Sequence, residues 1–343
     1  MRHINIPIFI PHLGCPNQCI FCNQKFISGK DSFDEFLIKD TINQVLSTKK
    51  SEDCCEIAFF GGSFTGIDRD LMIRLLELAQ YYVDKGEICG IRMSTRPDYI
   101  SREIVDILKN YTVTYVELGV QSMNDKVLAY LKRGHTVQDT ENAIKLLNEA
   151  RIPFIGQMMI GLPTSTLEDE LECAELICRN GASGSRIYPT IVLKNTELAD
   201  ITVQGNYRPL ELEEAIERSS KVLSVFIKNK VPCIRIGLCD SENLHSDETY
   251  LAGPNNPAIG EMIKSRFFYN KITEKICEGD FSKIKDIVIY CPLGKISQII
   301  GNKKENILKL KDRYEFLSIK AIENESLGEY EIIIKEKEGT ICD

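Results

Sequence analysis

"INIPIFIPHLGCPNQCIFCNQ", residues 4–24, runs from an alternating apolar stretch straight into three cysteines, Cys15, Cys19 and Cys22, set four and three residues apart. Three thiols on one short loop cannot complete a four-thiolate shell around zinc or an iron–sulfur cluster. Two readings stand. His12, three residues before Cys15, would make a Cys3His zinc site. Otherwise the three thiolates hold a [4Fe–4S] cluster with one iron open, as a catalytic metal keeps a free position for its ligand.

Downstream of this loop, strand-like and helix-like stretches alternate. "SFDEFLIKDTINQVLST" is amphipathic, with Ser32 placed to cap it. "EIAFFGG", "GIRMSTRP", "YVELGVQS", "PFIGQMMIGLP" and "SRIYPTIVL" each precede a helical pattern. The helix after "GIRMSTRP" starts at Ser101, with Glu103 in its first turn. Six βα units in about 225 residues imply a parallel sheet with helices outside, an α/β fold. Periodicity alone leaves an open doubly wound sheet and a partial barrel both standing. The distinctive motifs fall at the C-terminal ends of the strands, the edge where parallel α/β folds place their sites.

Composition narrows the classes. With 343 residues and 43% hydrophobic, the chain can build one large core and a small appendage. A net charge of -8 excludes a globally basic nucleic-acid binder but not a local basic patch. Thirteen cysteines, an odd count, without a secretory leader or a membrane-length apolar run, point to reduced thiols and a cytoplasmic protein. Most of the others, such as Cys173 and Cys178, are expected to be small buried hydrophobes.

The CxxxCxxC loop, with Phe21 before its last cysteine, and the paired Gly61-Gly62 ending the second strand resemble the radical S-adenosylmethionine (SAM) superfamily. The resemblance implies a partial (β/α)6 barrel and a [4Fe–4S] cluster held by Cys15, Cys19 and Cys22. It also implies SAM as the second cofactor. An electron from a reductant such as ferredoxin or flavodoxin then breaks the sulfonium bond, and a 5′-deoxyadenosyl radical abstracts hydrogen from substrate. By position, Phe21, Gly61, Gly62, Ser94, Gln121, Arg133 and Gln157 would surround SAM. Ser94 and Gln157 stand where the branch containing anaerobic coproporphyrinogen oxidase often carries acidic residues. Glu117 points to the same edge and is expected to face away from Gln121. His135 is expected to cap the helix that follows it.

From about Glu56 to Leu210 the motifs "TRPDYI", "ELGVQS", "RGHTV", "GLPTST", "RIYPTIVLKNTEL" and "GNYRPL" resemble the radical SAM domain of the Elongator catalytic subunit, which modifies transfer RNA. Arg186, Tyr188 and Tyr207 would then line a substrate pocket. The cysteine spacing is shorter than in that family, and the residues after the barrel are too few for its acetyltransferase domain.

The tail reads as strand, short helix, "GNKK" loop, helix and two strands, a small α+β domain over 283–343 after a barrel over 1–232 and a linker or cap over 233–282. "IIGNKKENI" resembles the K-homology RNA-binding motif, in which a GxxG loop clamps a nucleic-acid backbone. Gly301 keeps the first glycine, and Lys304 replaces the last. Lys303 and Lys304 would contact phosphate. Between Lys283 and Lys320, nine basic residues face four acidic ones. In the linker, Cys233, Cys239 and His245 are spaced too irregularly for zinc, and "LAGPNNPA" is expected to cover the barrel mouth. The expected protein is therefore a radical SAM enzyme acting on RNA, with transfer RNA as substrate. The rivals are a radical SAM enzyme for a small molecule such as a tetrapyrrole, and a zinc-stabilised RNA-binding protein without catalysis.

Overall fold

Ile4, Ile6 and Ile8 alternate with Asn5, Pro7 and Phe9, so the first strand, β1 (His3–Phe9), has one apolar face and one mixed face. Ile6 is fully buried and Ile8 nearly so. Such a side chain contributes about 1.5–3 kcal/mol on leaving water. Pro7 donates no backbone hydrogen bond and is tolerated because β1 lies at a sheet edge. The computed structural model describes residues 2–15, 19–23, 33–238, 246, 248–281 and 283–337.

β1 begins a curled parallel sheet of seven strands in the order β1–β2–β3–β4–β5–β6–β8. Its further strands are β2 (Cys54–Phe60), β3 (Gly90–Thr95), β4 (Val113–Gln121), β5 (Phe154–Ile160), β6 (Gly184–Pro189) and β8 (Cys233–Ile236). Short β7 (Val192–Leu193) pairs instead with β9 (Tyr250–Ala252). The helices of the barrel are α1 (Ile38–Leu46), α2 (Arg69–Asp84), α3 (Arg102–Leu108), α4 (Asp125–Tyr130), α5 (Val137–Glu149), α6 (Leu167–Arg179), α7 (Glu197–Val203) and α8 (Leu212–Lys228). The architecture is the expected half-barrel of the radical SAM type, with one strand more than the six anticipated. β8 escaped notice because four residues carry too little alternation.

Local rules account for the helix starts. Ser101 accepts from the Ile104 amide, as expected. Thr136 with Asp139, and Thr166 with Asp169, form capping boxes. The cap of α5 is thus Thr136 rather than His135, because a hydroxyl reaches the third amide and a buried imidazole does not. Ser32 lies outside the described residues. The 3-10 turn that leads into α1 is capped by Asp34, which accepts from the Phe36 amide at 2.9 Å.

After β9 comes α9 (Ile259–Glu278), a 20-residue helix packed along α8, within the stretch expected as linker or cap. The tail comprises β10 (Asp286–Cys291), α10 (Ile296–Ile300), α11 (Glu305–Tyr314), β11 (Ser318–Glu323) and β12 (Ile333–Glu336). β10 runs parallel to β11 and antiparallel to β12. A polar knot docks it on α9. The Asn306 amide donates to the Ser265 hydroxyl at 3.0 Å and to the Ile299 carbonyl at 3.1 Å, and Gln298 donates to Glu261 at 2.7 Å. Tyr330 packs edge-on against Phe267, adding apolar contact beside the knot.

Cys173 and Cys178 sit in α6, the first fully buried and the second half-buried. Burial pushes the Cys178 thiol up to about 11, so both are held as thiols. One pair departs from the expectation of reduced cysteines. Cys54, the first residue of β2, and Cys89, immediately before β3, form a disulfide, with Cα atoms 5.9 Å apart. No helix among the described residues is long and apolar enough to cross a membrane.

Candidate active site

The cysteine loop is shaped by backbone hydrogen bonds rather than by its own secondary structure. His12 donates to the Gly61 carbonyl at 3.0 Å, the Ser63 amide to Leu13 at 2.9 Å, and the Cys22 amide to Cys19 at 3.0 Å. Gly62 makes this fit possible. A Cβ there would lie 2.4 Å from the Leu13 carbonyl oxygen, so any other residue would push the loop off the strand end. The far side is anchored by Ile20, buried with Val127, Leu131 and Leu198. Its amide donates to Leu131 at 3.2 Å, and its carbonyl accepts from Leu198 at 2.8 Å. A buried hydroxyl relay, with Ser63 and Thr65 both on Thr95, ties the ends of β2 and β3 together.

These contacts place Cys15, Cys19 and Cys22 around one cavity of about 160 Å3. The same cavity is lined by Phe21, Gly61, Gly62, Ser94, Gln121, Arg133 and Gln157, so it gathers every residue that the sequence placed around the two cofactors. Among the described residues the thiols line the cavity without closing into a compact group of metal ligands. His12 borders it as well.

Two guanidinium groups dominate the electrostatics. Arg133 donates to the Cys19 sulfur at 3.3 Å and to the Gly119 carbonyl at 3.1 Å. Arg96, 2% exposed, is held by a two-pronged pair with Asp98 at 2.9 and 2.7 Å. Burial pushes the Cys15 thiol up, and Arg133 and Arg96 oppose that shift. Sequence reading passed over Arg96 in favour of Ser94. The signal was the Arg-Pro-Asp run itself, in which an arginine carries its own carboxylate two residues on. His135 is buried behind both arginines, and burial with their charge lowers its pKa to about 3, so the ring is neutral.

The donor set suits the two cofactors. Thiolates that carry a cluster concentrate negative charge, and buried Arg133 and Arg96 face it. Three buried polar atoms on this wall, Gln121 Oε1, Arg133 Nε and Arg96 Nη1, have no hydrogen-bond partner among the described residues. Buried polar atoms are seldom left so unless a ligand engages them. An amino acid head group supplies donors for the amide oxygen and a carboxylate for the guanidinium.

Below this cavity a second one of about 380 Å3 fills the upper barrel lumen, sharing Phe21, Cys22, Gly61, Ser94, Gln121 and Gln157 with the first. Glu117 lines it too, on the same face as Gln121. The expectation that it faces away is overturned: both side chains line this lumen, across a register shift between Gly119 and Gln121. Glu117 is fully buried and accepts from Arg186 at 2.6 Å, Gln157 at 2.8 Å and Arg92 at 3.2 Å. Arg186 and Tyr188 line this lumen, and Arg186 donates to the Tyr188 hydroxyl at 3.2 Å. Tyr207 is not among the lining residues. Its hydroxyl donates to the Gly161 carbonyl at 2.6 Å and burial pushes its pKa up, so it braces the end of β5.

At the mouth, Pro189, Ile191 and Leu238 border both this lumen and a small cleft lined by Pro254 to Pro257. Asn256 continues from that cleft into a groove of about 640 Å3 between α9 and the Gly301–Lys304 loop. Part of the expected cover is β9, and the rest borders the cleft at one side of the mouth. Gly301 has φ +79°, and a Cβ there would meet the Asn306 amide at 2.9 Å, so the turn requires glycine. Lys303 and Lys304 adopt left-handed conformations and are exposed, with no ion pair to a described residue. Of the candidate zinc ligands, Cys233 is half-buried in β8, while Cys239 and His245 lie outside the described residues.

Residues 9–177 match the family model of the radical SAM superfamily, and residues 182–268 that of the Radical_SAM C-terminal domain. An uncharacterized protein of Methanocaldococcus jannaschii is 32% identical over 226 residues, 62% of this chain and 68% of its own length. A tRNA uridine(34) acetyltransferase of the same organism is 31% identical over 218 residues, 57% of this chain. Elongator complex protein 3 of Mus musculus is 29% identical over 214 residues. The chain spans only 40% and 39% of the lengths of these last two relatives. Among solved structures, the archaeal Methanocaldococcus infernus Elp3 superposes with a TM-score of 0.60 at 22% identity, covering 80% of this chain and 63% of that one. That superposition speaks for the fold alone. With these family matches joined to a cavity that gathers three cysteines, the chain belongs to the radical SAM superfamily and uses its two cofactors, a [4Fe–4S] cluster and S-adenosylmethionine.

Proposed function

We propose that this protein directs radical SAM chemistry at a base in RNA, with transfer RNA as the substrate class and a ferredoxin or flavodoxin as electron donor. When both cofactors are bound, the chemistry they supply is reductive cleavage of a sulfonium bond followed by hydrogen abstraction from carbon. The chain's own residues then have separable tasks. Cys15, Cys19 and Cys22 hold three corners of the cluster. Arg133 and Arg96 balance its charge, and Arg133 also takes the methionine carboxylate. Ser94, Gln121 and Gln157 orient the rest of SAM, with Phe21 against it and Gly61 keeping its backbone bare. The Glu117, Arg92 and Arg186 network fixes the lumen wall, so the reacting carbon is held in one place and water is kept out.

The observation that carries the RNA reading is the run of lining residues from the barrel lumen through Asn256 to the Gly301–Lys304 loop. An extended strand held by its phosphates at Lys303 and Lys304 would present a base to the barrel along that run. The likeness to a tRNA uridine(34) acetyltransferase and to Elongator complex protein 3 supports the same substrate class. Acetyl transfer is not carried over, because the likeness covers 40% of the acetyltransferase. Nucleosides from transfer RNA of cells with and without the gene test the reading. One modified nucleoside should vanish on deletion and return with the intact gene but not with a Cys19→Ala copy. Identical nucleoside profiles would refute it.

A further inference from the structure

The lumen does not end beneath the cofactor cavity. A second space, again about 380 Å3, opens toward the N-terminal ends of the strands and is lined by His3, Arg92 and Tyr115 among others. The upper and lower spaces share three residues, Asn5, Arg186 and Arg235, which form a waist between them.

Charge at this waist does not balance. Arg92 pairs with Glu56 at 2.9 Å and with Glu117 at 3.2 Å, and Arg186 pairs with the same Glu117 oxygen at 2.6 Å. Arg235, half-buried on β8, has no carboxylate partner among the described residues. Among the described residues three guanidinium groups therefore face two carboxylates, leaving one positive charge over at the waist. Arg186 is only 8% exposed, and its Nε has no hydrogen-bond partner among the described residues. The buried Asn5 Oδ1 also lacks one. A buried guanidinium with an idle donor, beside a second that no described carboxylate pairs, is costly unless an anion joins them.

We infer that the waist binds a small carboxylate that also bears a hydroxyl or amino donor, a co-substrate held beneath SAM. One carboxylate oxygen meets Arg186 Nε and the other Arg235, while the ligand's own donor meets Asn5 Oδ1. A guanidinium fork favours the planar carboxylate, and the idle acceptor selects an acid with a neighbouring donor. The assignment rests on the barrel's radical chemistry and not on RNA as substrate, so it stands or falls separately from the nucleoside comparison.

The test uses the full chain with its cluster reconstituted, and glycolate, acetate and inorganic phosphate as probes in calorimetric titration. Glycolate should bind saturably and raise the unfolding midpoint, acetate should bind more weakly for want of a donor, and phosphate should not compete. Arg235→Gln should weaken glycolate by about tenfold or more. Arg235→Lys, which keeps the charge, should retain measurable binding and serves if the glutamine variant fails to fold. Saturating SAM should leave glycolate binding in place. Absent glycolate binding, binding unchanged in either Arg235 variant, displacement by SAM, or tighter phosphate than glycolate would each overturn the inference. The last would reassign the waist to a phosphate.

Discussion

The cysteine end of the half-barrel and the Gly301–Lys304 loop of the tail both present cations, and they hold them in opposite ways. Arg133 and Arg96 are buried, each hydrogen-bonded through more than one nitrogen or locked to its own carboxylate, and aimed at a cavity of about 160 Å3. Lys303 and Lys304 are exposed, on strained left-handed backbone, beside a groove four times larger. A fixed guanidinium recognises one geometry. A solvated ammonium attracts any phosphate within reach and is screened by salt. The first arrangement suits a cofactor that must sit at one distance from a cluster, and the second suits a polymer that must be gathered before it is positioned.

The sharpest break of this contrast removes the cluster. Cys22→Ala should abolish 5′-deoxyadenosine formation and most of the bound iron, measured by chromatography and iron analysis, because no other described cysteine lines the cavity to replace it. Replacing Arg133 with Gln should lower 5′-deoxyadenosine formation by about ten- to a hundredfold while leaving iron bound, the loss expected for a charged hydrogen bond to a cofactor. Retained activity would mean that the buried arm of the comparison does not discriminate by geometry. In the tail, joint Lys303→Ala and Lys304→Ala should weaken RNA binding by about tenfold. The slope of affinity against salt should also fall by about two, one for each lost phosphate contact. A loss of affinity without a change of slope would move RNA recognition away from these lysines.

The smallest effect concerns His135. Its folded pKa, about 3, lies below the ordinary imidazole value, so the unfolded chain takes up the proton first. Its contribution is complete above about pH 6.5 and fades as pH falls toward 3. Stability should therefore drop by about 1.4 kcal/mol per pH unit below the ordinary histidine value, from this group alone. His135→Phe should flatten that acid limb in denaturant titrations at pH 7.5 and 5, and an unchanged limb would show that the ring is not held neutral.

Much of the half-barrel was legible because its signals are local. Alternating isoleucines mark β1, Ser101 marks the start of α3, and the spacing of Cys15, Cys19 and Cys22 marks the cluster loop. Glu117 and Gln121 share the lumen across a register shift between Gly119 and Gln121, which alternation along the strand does not reveal. Tyr207 was placed in the lumen by motif alone, and only the packing of its loop against Gly161 reveals its bracing role. β8 and α9 were missed because four residues carry little periodicity and because α9 is amphipathic only against α8 and the tail together.

The sequence by itself determined the chemistry: thiols at fixed spacing, a parallel α/β rhythm, and glycine where a strand end must pass a loop. These follow from bonded geometry and from periods of two and 3.6 residues, which act over short stretches. Only the tertiary structure decided which arginines confront the cysteines, and that Glu117 serves three donors. It alone placed Arg235 beside Arg186 at the waist of the barrel. Such pairings join residues tens of positions apart, and burial, which sets the worth of a charge, exists only once the strands have closed around it.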